Sequence, residues 1–294
     1  MSLFTGSGVA LITPFHDDLS INYEKIDELI EEQIAAGTDA IVTCGTTGES
    51  PTLTEDEHVE VIKFTCERVK GRIPVIAGTG SNWTTTAIDL SIKAQAAGVD
   101  GVMLVTPYYN KATQKGLIAH FGAIAEAVAV PVILYNIPGR TGVNMAPETV
   151  AQLVRDQQNI VGVKDATGDI GFVAQMMAAC DGNVDLYSGN DDMVVPLLSL
   201  GGAGVISVTA NIVPEMMHDM VMDYLKGDVK QATHEQLRLI PLCNQVFSEV
   251  NPIPIKTAMN LMNKAVGGLR PPLTVLEPHN VAALQATMSA MKLI

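Results

Sequence analysis

The chain has 294 residues, of which 47% are hydrophobic and only 17% are charged. This apolar content excludes a disordered chain and supplies enough surface for a large core. The 18 basic and 32 acidic residues give a formal net charge of −14. This charge argues against nucleic acid and anionic membranes as partners, because both require a basic surface. The negative net charge does not exclude a small anionic substrate, because the attraction of one nearby Arg or Lys outweighs the screened repulsion of distant acidic residues.

The sequence shows no sign of export or of a membrane span. No apolar run reaches the ~18 residues that a span requires. The first residues, MSLFTGSGVALITPF, carry neither a basic leader nor a cleavage site. Cys44, Cys66, Cys180 and Cys243 are far apart and form no CxxC pair, which fits reduced thiols in a cytosol. We therefore expect a cytoplasmic protein with no membrane partner.

Short β-branched runs alternate with amphipathic stretches along most of the chain. The runs predict eight strands: Val9–Thr13, Ala40–Cys44, Pro74–Gly78, Gly101–Thr106, Val132–Asn136, Ile160–Lys164, Val184–Ser188 and Gly204–Val208. Helical patterns separate the early strands, namely Tyr23–Ala36, Glu55–Lys70, Thr84–Ala97 and Gly116–Val128. The strands are almost continuously apolar, which is typical of a parallel sheet buried on both faces. Eight such units predict a (β/α)8 TIM barrel.

Two other organisations are compatible with part of this pattern. The length alone would allow two domains. A doubly wound open sheet usually has fewer strands and a glycine-rich turn after the first one, whereas Thr13-Pro14-Phe15-His16 follows the first strand here. After Val208 the pattern changes to helices alone, at Pro214–Lys226, Lys230–Val250, Pro254–Lys264 and Glu277–Met291. We expect a barrel over 1–226 and a C-terminal helical extension over 227–294.

Several short patterns predict local structure. Gly37 and Gly98 end matching helix-to-strand segments and suit the left-handed position after a helix. Thr54 with Glu57 predicts a capping box. The run Gly201–Gly204 precedes the eighth strand and predicts a tight turn rather than a phosphate site. Asp191 and Asp192 are expected to open a helix, where carboxylates favour the dipole.

Lys164 is the first candidate for chemistry, because barrel enzymes gather their functional residues where strands finish. It closes the apolar run Ile160–Val163. Burial there should lower its pKa and free the amine as a nucleophile toward a carbonyl. The alternative is a lysine that extends out of the barrel mouth or pairs with Asp165.

Other strand ends supply polar groups near this lysine. Thr46 and Thr47 lie in a glycine-flanked loop whose backbone N–H groups suit a carboxylate. Tyr135 suits proton transfer, and Arg140 offers a fixed fork for a carboxylate. Each also has a purely structural explanation: an ordinary turn, a buried hydroxyl or a solvated arginine. The six histidines form no HxH or HExxH motif, and no Walker or GxGxxG loop is present. We therefore expect no metal site.

Three motifs together are similar to the dihydrodipicolinate synthase/N-acetylneuraminate lyase superfamily. They are Gly45-Thr46-Thr47-Gly48-Glu49, the stretch YNIPGRT from Tyr135 to Thr141, and Gly162-Val163-Lys164-Asp165. The resemblance spans essentially the whole chain. With TPYYN at 106–110, these motifs most resemble the synthase branch, since the sialic acid lyases and sugar-acid aldolases generally lack the arginine present here as Arg140.

The resemblance implies an activity. Lys164 would form an imine with pyruvate, and the derived enamine would attack aspartate semialdehyde before cyclisation, in lysine and diaminopimelate biosynthesis. No cofactor would be needed, because the imine is the electron sink. Two alternatives are a pyruvate-dependent aldolase with a sugar-acid substrate and a non-catalytic barrel that senses a keto acid.

The resemblance also implies roles for other residues and an assembly. Tyr135, Thr46 and Tyr109 would form a proton relay, with Tyr109 reaching in from a neighbouring subunit of a homotetramer built as a dimer of dimers. The implied substrate-binding residues are Thr47 for the pyruvate carboxylate, Arg140 for the second carboxylate, and Gly189 and Ile206 along the pyruvate pocket.

A regulatory site is the last feature that the resemblance implies. Lysine-inhibited relatives bind the effector at a subunit interface, and Ser50, His58, Asn82 and Tyr108 keep that pattern. Glu55 stands where such relatives carry a histidine, and Thr86 where they carry a glutamate. The missing carboxylate and the nearby Trp83 predict weak or absent inhibition by lysine.

Overall fold

The computed structural model describes residues 2–294 and contains eight parallel strands. They are β1 (Gly6–Ala10), β2 (Ala40–Thr43), β3 (Val75–Gly78), β4 (Gly101–Val105), β5 (Val132–Asn136), β6 (Ile160–Asp165), β7 (Asp185–Ser188) and β8 (Gly204–Ser207). Each strand pairs with the next, and β8 pairs with β1, so the sheet closes. The predicted (β/α)8 TIM barrel is confirmed.

Helices connect the strands and form the C-terminal part. They are α1 (Tyr23–Ala35), α2 (Glu55–Val69), α3 (Thr84–Ala96), α4 (Gln114–Ala127), α5 (Pro138–Thr141), α6 (Pro147–Asp156), α7 (Ile170–Ala179), α8 (Val194–Leu198), α9 (Pro214–Leu225), α10 (Val229–Val246), α11 (Ile253–Leu261) and α12 (Pro278–Ala290). Short 3₁₀ helices cover Ser50–Thr52, Asp191–Met193 and Thr209–Asn211. Within residues 2–294, no helix combines the length and the apolar character that crossing a bilayer requires.

The first strand begins three residues earlier than the sequence predicts. We expected Val9–Thr13, whereas β1 is Gly6–Ala10. Glycine is depleted in strands, which hides this one in the sequence. The barrel needs small residues here, because a Cβ on Gly204 would lie 1.9 Å from the Gly6 carbonyl oxygen of the paired strand. Close backbone approach therefore overrides strand propensity.

The predicted turns and caps are confirmed where they can be compared. Gly37 and Gly98 follow α1 and α3 with φ of 83° and 94°. Thr54 accepts from Glu57 N while the Glu57 side chain accepts from Thr54 N, which is the capping box at the start of α2. Gly201 has a φ of 89° in the turn before β8. These helix ends and this turn are therefore fixed by residues close to them in the sequence.

The apolar residues form two clusters on opposite sides of the sheet. One fills the barrel and includes Ile76, Met103, Ile133 and Ile206, while the larger one lies between the strands and the surrounding helices. Phe4 stacks on Tyr187 at 4.4 Å between ring centroids, where the strands begin. The barrel interior is thus a packed core, open for binding only at the end where the strands finish.

The C-terminal helices reach back to the loop that follows β2. Lys256 of α11 donates from Nζ to Glu49 Oε1 and to the Thr13 carbonyl, both at 2.9 Å. The Arg270 backbone N–H donates to the other oxygen, Glu49 Oε2, at 3.1 Å. The predicted boundary at 226/227 falls between α9 and α10, and as a domain boundary it stays a prediction. These bonds tie the extension to the barrel mouth.

We predict that Lys256→Ala lowers the free energy of unfolding by about 3–5 kcal/mol, the range for breaking a buried ion pair. The two side chains are 1% and 0% exposed, so the substitution leaves the Glu49 carboxylate buried without its cation. Urea denaturation followed by circular dichroism measures the change. Lys264→Ala is the matched control, because Lys264 pairs with Glu32 near the surface and its loss should cost at most about 1 kcal/mol. Equal effects of the two substitutions would contradict the role of burial.

Candidate active site

A cavity of about 440 Å³ lies at the end of the barrel where the strands finish. Residues after β2, β5, β6 and β7 line it together with residues of the C-terminal extension. They include Thr46, Thr47, Tyr135, Arg140, Lys164, Gly189, Asp191, Asp192, Cys243, Phe247 and Asn251. The cavity therefore brings together six of the eight predicted catalytic and substrate-binding residues.

Lys164 lies inside the cavity rather than extending out of it. It is 5% exposed and sits in register between Tyr135 of β5 and Tyr187 of β7. Burial lowers its pKa to about 8, with Arg140 acting in the same direction and Asp191 opposing it. Asp165 accepts instead from Thr167 and Asn136. Roughly a tenth of the amine is therefore uncharged at neutral pH, as a nucleophile requires.

The aromatic ring of Tyr135 lies against this amine. The Lys164 Nζ atom lies 4.4 Å from the centroid of the Tyr135 ring. Burial raises the pKa of Tyr135 to about 12, while Arg140 and the side chain of Thr46 lower it. The phenol is thus protonated at neutral pH, and it can give a proton to a basic atom formed beside Lys164 and take it back.

The loop after β2 holds the two threonines at the cavity. Thr47 is buried and its hydroxyl accepts from Asn251 Nδ2 at 2.9 Å. The Glu49 backbone N–H donates to the Thr46 carbonyl at 3.1 Å, which closes the loop as a turn. A Cβ on Gly48 would lie 3.2 Å from the Leu11 carbonyl oxygen, so the loop packs tightly on the first strand. The extension and the barrel together fix its position.

Arg140 lies at the mouth of the cavity, in the single turn of α5. Its side chain is exposed, and its Nη2 atom donates to the Asn251 carbonyl at 3.1 Å. A guanidinium has five N–H donors in a planar fork, so several remain for a ligand carboxylate.

The remaining predicted residues occupy three different environments. A Cβ on Gly189 would lie 3.1 Å from Lys164 Cε and 2.8 Å from the Ala166 Cβ, so only glycine leaves space for the lysine there. Ile206 is fully buried in the barrel cluster with Tyr135 and lies outside the set that lines the cavity. Tyr109 is 87% exposed, has a φ of 76°, and does not line the cavity of its own chain.

Asp191 opens a helical turn as the sequence predicts, but its hydrogen-bond partners and the role of Asn251 are not evident from the sequence. We expected Asp191 to open a helix, and a 3₁₀ turn does begin there, but its carboxylate does not cap that turn. Asp191 Oδ2 instead accepts from Val208 N at 3.1 Å, Thr209 N at 2.8 Å and Thr209 Oγ1 at 2.7 Å. Because Asp191 follows β7 by three residues, its position in the sequence could have predicted that it lies at the cavity. Asn251 comes from the extension, which no pattern connects to the barrel mouth.

A second pocket of about 330 Å³ adjoins the cavity and shares Thr46, Ile137 and Arg140 with it. Ser50, Glu55, His58 and Tyr108 line it as well, whereas Asn82 and Thr86 do not. His58 Nε2 lies 2.8 Å from the Gly78 carbonyl oxygen, and burial lowers the pKa of this imidazole. Three of the four predicted effector residues thus share one pocket within a single chain.

Metal-binding geometry is not found in the part of the chain that the structure describes. Residues 2–294 contain no group of three or more His, Cys, Asp and Glu side chains placed to hold an ion. Cys44, Cys66, Cys180 and Cys243 are free thiols.

Comparisons with known proteins agree with this geometry. A model of the Dihydrodipicolinate synthetase family matches residues 3–291. The 4-hydroxy-tetrahydrodipicolinate synthase of Lachnoclostridium phytofermentans is 55% identical over 294 residues, covering 100% of both chains. A crystal structure of a dihydrodipicolinate synthase matches with a TM-score of 0.97 and 43% identity, over 99% of this chain and 100% of that one. A structure of the Cyanidioschyzon merolae enzyme with lysine bound matches with a TM-score of 0.97 and 39% identity over 100% of both chains.

We predict that the Lys164 amine reacts with an acylating reagent along a titration curve centred near pH 8. Its pKa is lowered to about 8, so the reactive uncharged form appears at lower pH than in an ordinary lysine. Pulse labelling over pH 6–11, followed by peptide mapping, measures the midpoint for each lysine separately. A midpoint near 10.4, the ordinary value for lysine, would contradict desolvation of this amine.

Proposed function

This chain belongs to the dihydrodipicolinate synthetase family, and we propose that it condenses pyruvate with aspartate semialdehyde through an imine on Lys164. The observation that carries the proposal is the buried Lys164 amine with its lowered pKa beside the Tyr135 ring. The reaction is that of relatives named 4-hydroxy-tetrahydrodipicolinate synthase, a lyase of lysine and diaminopimelate biosynthesis.

The reaction begins when the uncharged Lys164 amine attacks the keto carbon of pyruvate. The carbinolamine that results loses water and becomes a protonated imine. Loss of a proton from the methyl carbon then gives an enamine, because the imine nitrogen accepts the electron pair. The enamine carbon attacks the aldehyde carbon of aspartate semialdehyde, whose oxygen takes a proton. Ring closure by the substrate's amino group finally displaces Lys164.

Tyr135, Thr46 and Tyr109 carry the protons of these steps in our proposal. Tyr135 keeps its proton at neutral pH, since burial raises its pKa to about 12, and it lies against the lysine. Thr46 lines the same cavity and connects Tyr135 to the next hydroxyl. Tyr109 is 87% exposed and does not line the cavity of its own chain. We therefore assign it to the site of a neighbouring subunit.

The substrates are held by groups at opposite ends of the cavity. Thr47 and its loop bind the pyruvate carboxylate close to Lys164, and Gly189 leaves room for the imine carbon atoms. Arg140 at the mouth binds the carboxylate of aspartate semialdehyde, with free N–H donors for both oxygens. Ile206 supports the pyruvate site from the barrel core. No metal or cofactor enters the scheme, because the protonated imine is the electron sink.

We also propose a homotetramer, built as a dimer of dimers with closed symmetry. Trp83, Tyr108 and Tyr109 are large apolar side chains that are exposed on the single chain, at 65%, 38% and 87%. Exposed aromatic groups of this kind favour a protein interface. The four free thiols suit the reducing cytoplasm, where we place the enzyme.

We predict that borohydride reduction in the presence of pyruvate adds one three-carbon unit, and that peptide mapping finds it on Lys164. Lys164→Ala should remove the label, and so should Lys164→Arg, because a guanidinium stays protonated and is not nucleophilic. Intact mass spectrometry measures the adduct. A label on another lysine would overturn the assignment of the nucleophile.

We predict that mixing Tyr109→Phe with Lys164→Ala restores part of the synthase activity after the subunits exchange. A mixed dimer has one site with an intact lysine from the first chain and an intact Tyr109 from the second. Tyr135→Phe mixed with Lys164→Ala is the control, since both residues belong to one chain's cavity and no intact site can form. Each variant alone should lose roughly 10²-fold or more in turnover. Equal recovery in the two mixtures, or none in either, would contradict a shared site.

Inhibition by lysine is weak or absent in our proposal. Ser50, His58 and Tyr108 share the second pocket, but Thr86 is not among its lining residues and offers no carboxylate for an ammonium. Glu55 does line the pocket and is the only replacement charge on that side.

We predict that the lysine concentration for half-maximal inhibition is above about 1 mM. A value of 1 mM corresponds to a binding free energy near −4 kcal/mol. Thr86→Glu should tighten inhibition about tenfold by adding one charge-assisted hydrogen bond. Thr85→Glu, on the preceding exposed residue, is the matched control and should leave inhibition unchanged. Strong inhibition of the unaltered enzyme would show that Glu55 replaces the missing group.

A further inference from the structure

We propose that Asp191 binds the ammonium group of aspartate semialdehyde and takes a proton from it, so that the nitrogen can close the ring. This inference rests on the function proposed above. It concerns ring closure, the step that follows carbon–carbon bond formation. None of the proposed proton-relay residues is assigned to take a proton from the nitrogen of the second substrate.

The carboxylate of Asp191 is rigidly held by one of its oxygens only. Asp191 is 1% exposed, and Oδ2 accepts from two backbone N–H groups and one hydroxyl at the start of the 3₁₀ turn Thr209–Asn211. The other oxygen, Oδ1, is buried and accepts no well-formed hydrogen bond among residues 2–294, although the nearby Ser207 hydroxyl helps to lower the pKa of the carboxyl group. Leaving a buried acceptor without a partner is costly, so this oxygen is poised for a donor brought by a ligand.

The charges around the cavity single out this carboxylate. Asp191 and Asp192 are the two acidic residues that line the cavity, and Asp192 is exposed to solvent. Two other buried carboxylates near the barrel mouth are already engaged, Glu49 with Lys256 and Asp165 with Thr167. The cations that line the cavity are Lys164 and Arg140. Lys164 acts on Asp191 through its charge but makes no hydrogen bond with it among the described residues.

The second substrate supplies the missing donor. Aspartate semialdehyde carries an aldehyde, a carboxylate and an ammonium group with three N–H donors. The aldehyde must face the enamine on Lys164, and the carboxylate faces Arg140, so the ammonium needs an anionic acceptor within the same cavity. Asn251 Oδ1 is a second buried acceptor that lines the cavity without a donor. Asp191 provides the negative charge and Asn251 a neutral oxygen.

Ring closure then follows with all protons accounted for. The ammonium gives one proton to Asp191 Oδ1, and the lone pair released attacks the carbon of the protonated imine, forming the ring C–N bond. A second proton of the ring nitrogen passes to the Lys164 nitrogen, and the bond between that nitrogen and the carbon breaks. Lys164 leaves as a neutral amine, the product is a protonated cyclic imine, and Asp191 returns its proton to solvent. Burial raises the pKa of Asp191, which makes it a better base for this transfer.

Asp191→Asn tests the proposal with little change of shape. The asparagine oxygen can still accept from Val208 and Thr209, while an N–H₂ group replaces the free oxygen. Asp219→Asn is the matched control, because Asp219 is an exposed carboxylate on α9 that does not line the cavity. Three measurements apply to each variant: borohydride trapping with pyruvate alone, the KM for aspartate semialdehyde, and the inhibition constant of succinate semialdehyde, which lacks only the amino group.

We expect Asp191→Asn to raise the KM for aspartate semialdehyde by about 10–100-fold, the effect of one charge-assisted hydrogen bond. Pyruvate trapping and inhibition by succinate semialdehyde should stay within about threefold of the unaltered enzyme. Because ring closure is slowed, borohydride at saturating aldehyde should trap the mass of the condensed, uncyclised adduct on Lys164. Asp219→Asn should change none of these values by more than about threefold.

Three outcomes would overturn the proposal. An equal loss of affinity for the two aldehydes would make Asp191 a structural support of the cavity. Loss of pyruvate trapping would show that it acts on Lys164. If the variant does not fold, the unaltered enzyme still decides, because binding succinate semialdehyde as tightly as aspartate semialdehyde would exclude an ammonium site. Absence of any pyruvate adduct on the unaltered enzyme would instead refute the proposed function.

Discussion

The desolvation of Lys164 is the physical condition on which the site depends. An amine at the end of a solvent-exposed strand would remain charged at neutral pH and unable to attack a carbonyl. Here the neighbouring strands cover it, with Tyr135 on one side and Tyr187 on the other. The closed sheet is what makes this possible, because no strand of a barrel has an open edge. A stable core and a reactive amine thus follow from the same parallel register.

The negative charge of Asp191 partly offsets the lowering of the Lys164 pKa by desolvation. A carboxylate nearby favours the ammonium form of the lysine, while Arg140 favours the neutral form. The pKa that results, about 8, leaves part of the amine uncharged at neutral pH, as the proposed attack on pyruvate requires. A net charge of −14 over the chain is no obstacle to two anionic substrates, since the two cations lining the cavity act at short range.

The extension completes a site that the barrel begins. Asn251 donates to Thr47 and accepts from Arg140, so it joins the loop after β2 to the turn after β5. Lys256 holds Glu49 two residues beyond Thr47. The positions of Thr47 and Arg140, which we propose bind the substrates, therefore depend on packing between the barrel and the helices that follow it in the chain. In our proposal the helical extension is therefore part of the catalytic unit.

The sequence by itself determined the barrel and predicted that Lys164 and most of the polar residues around it lie at one end of it. Continuous apolar runs, glycines after helices and the Thr54 capping box are local signals, and each depends on contacts within a short segment. The grouping of polar residues from the strand ends was also predictable, because closure of a parallel barrel brings the carboxyl ends of all strands to one face. The motifs that contain Thr46, Tyr135 and Lys164 also revealed the resemblance to a known family.

Only the tertiary structure decided the start of β1 and the roles of Asp191, Asn251 and Glu49. Gly6 is in a strand because Gly204 lies against it, and nothing in its own segment signals that neighbour. Asp191 resembled a helix opener locally, but donors from Val208 and Thr209 engage its carboxylate. Asn251 and Glu49 contact residues some two hundred positions away in the chain. Such partners are chosen by the packing of whole elements, which a local pattern of residues does not encode.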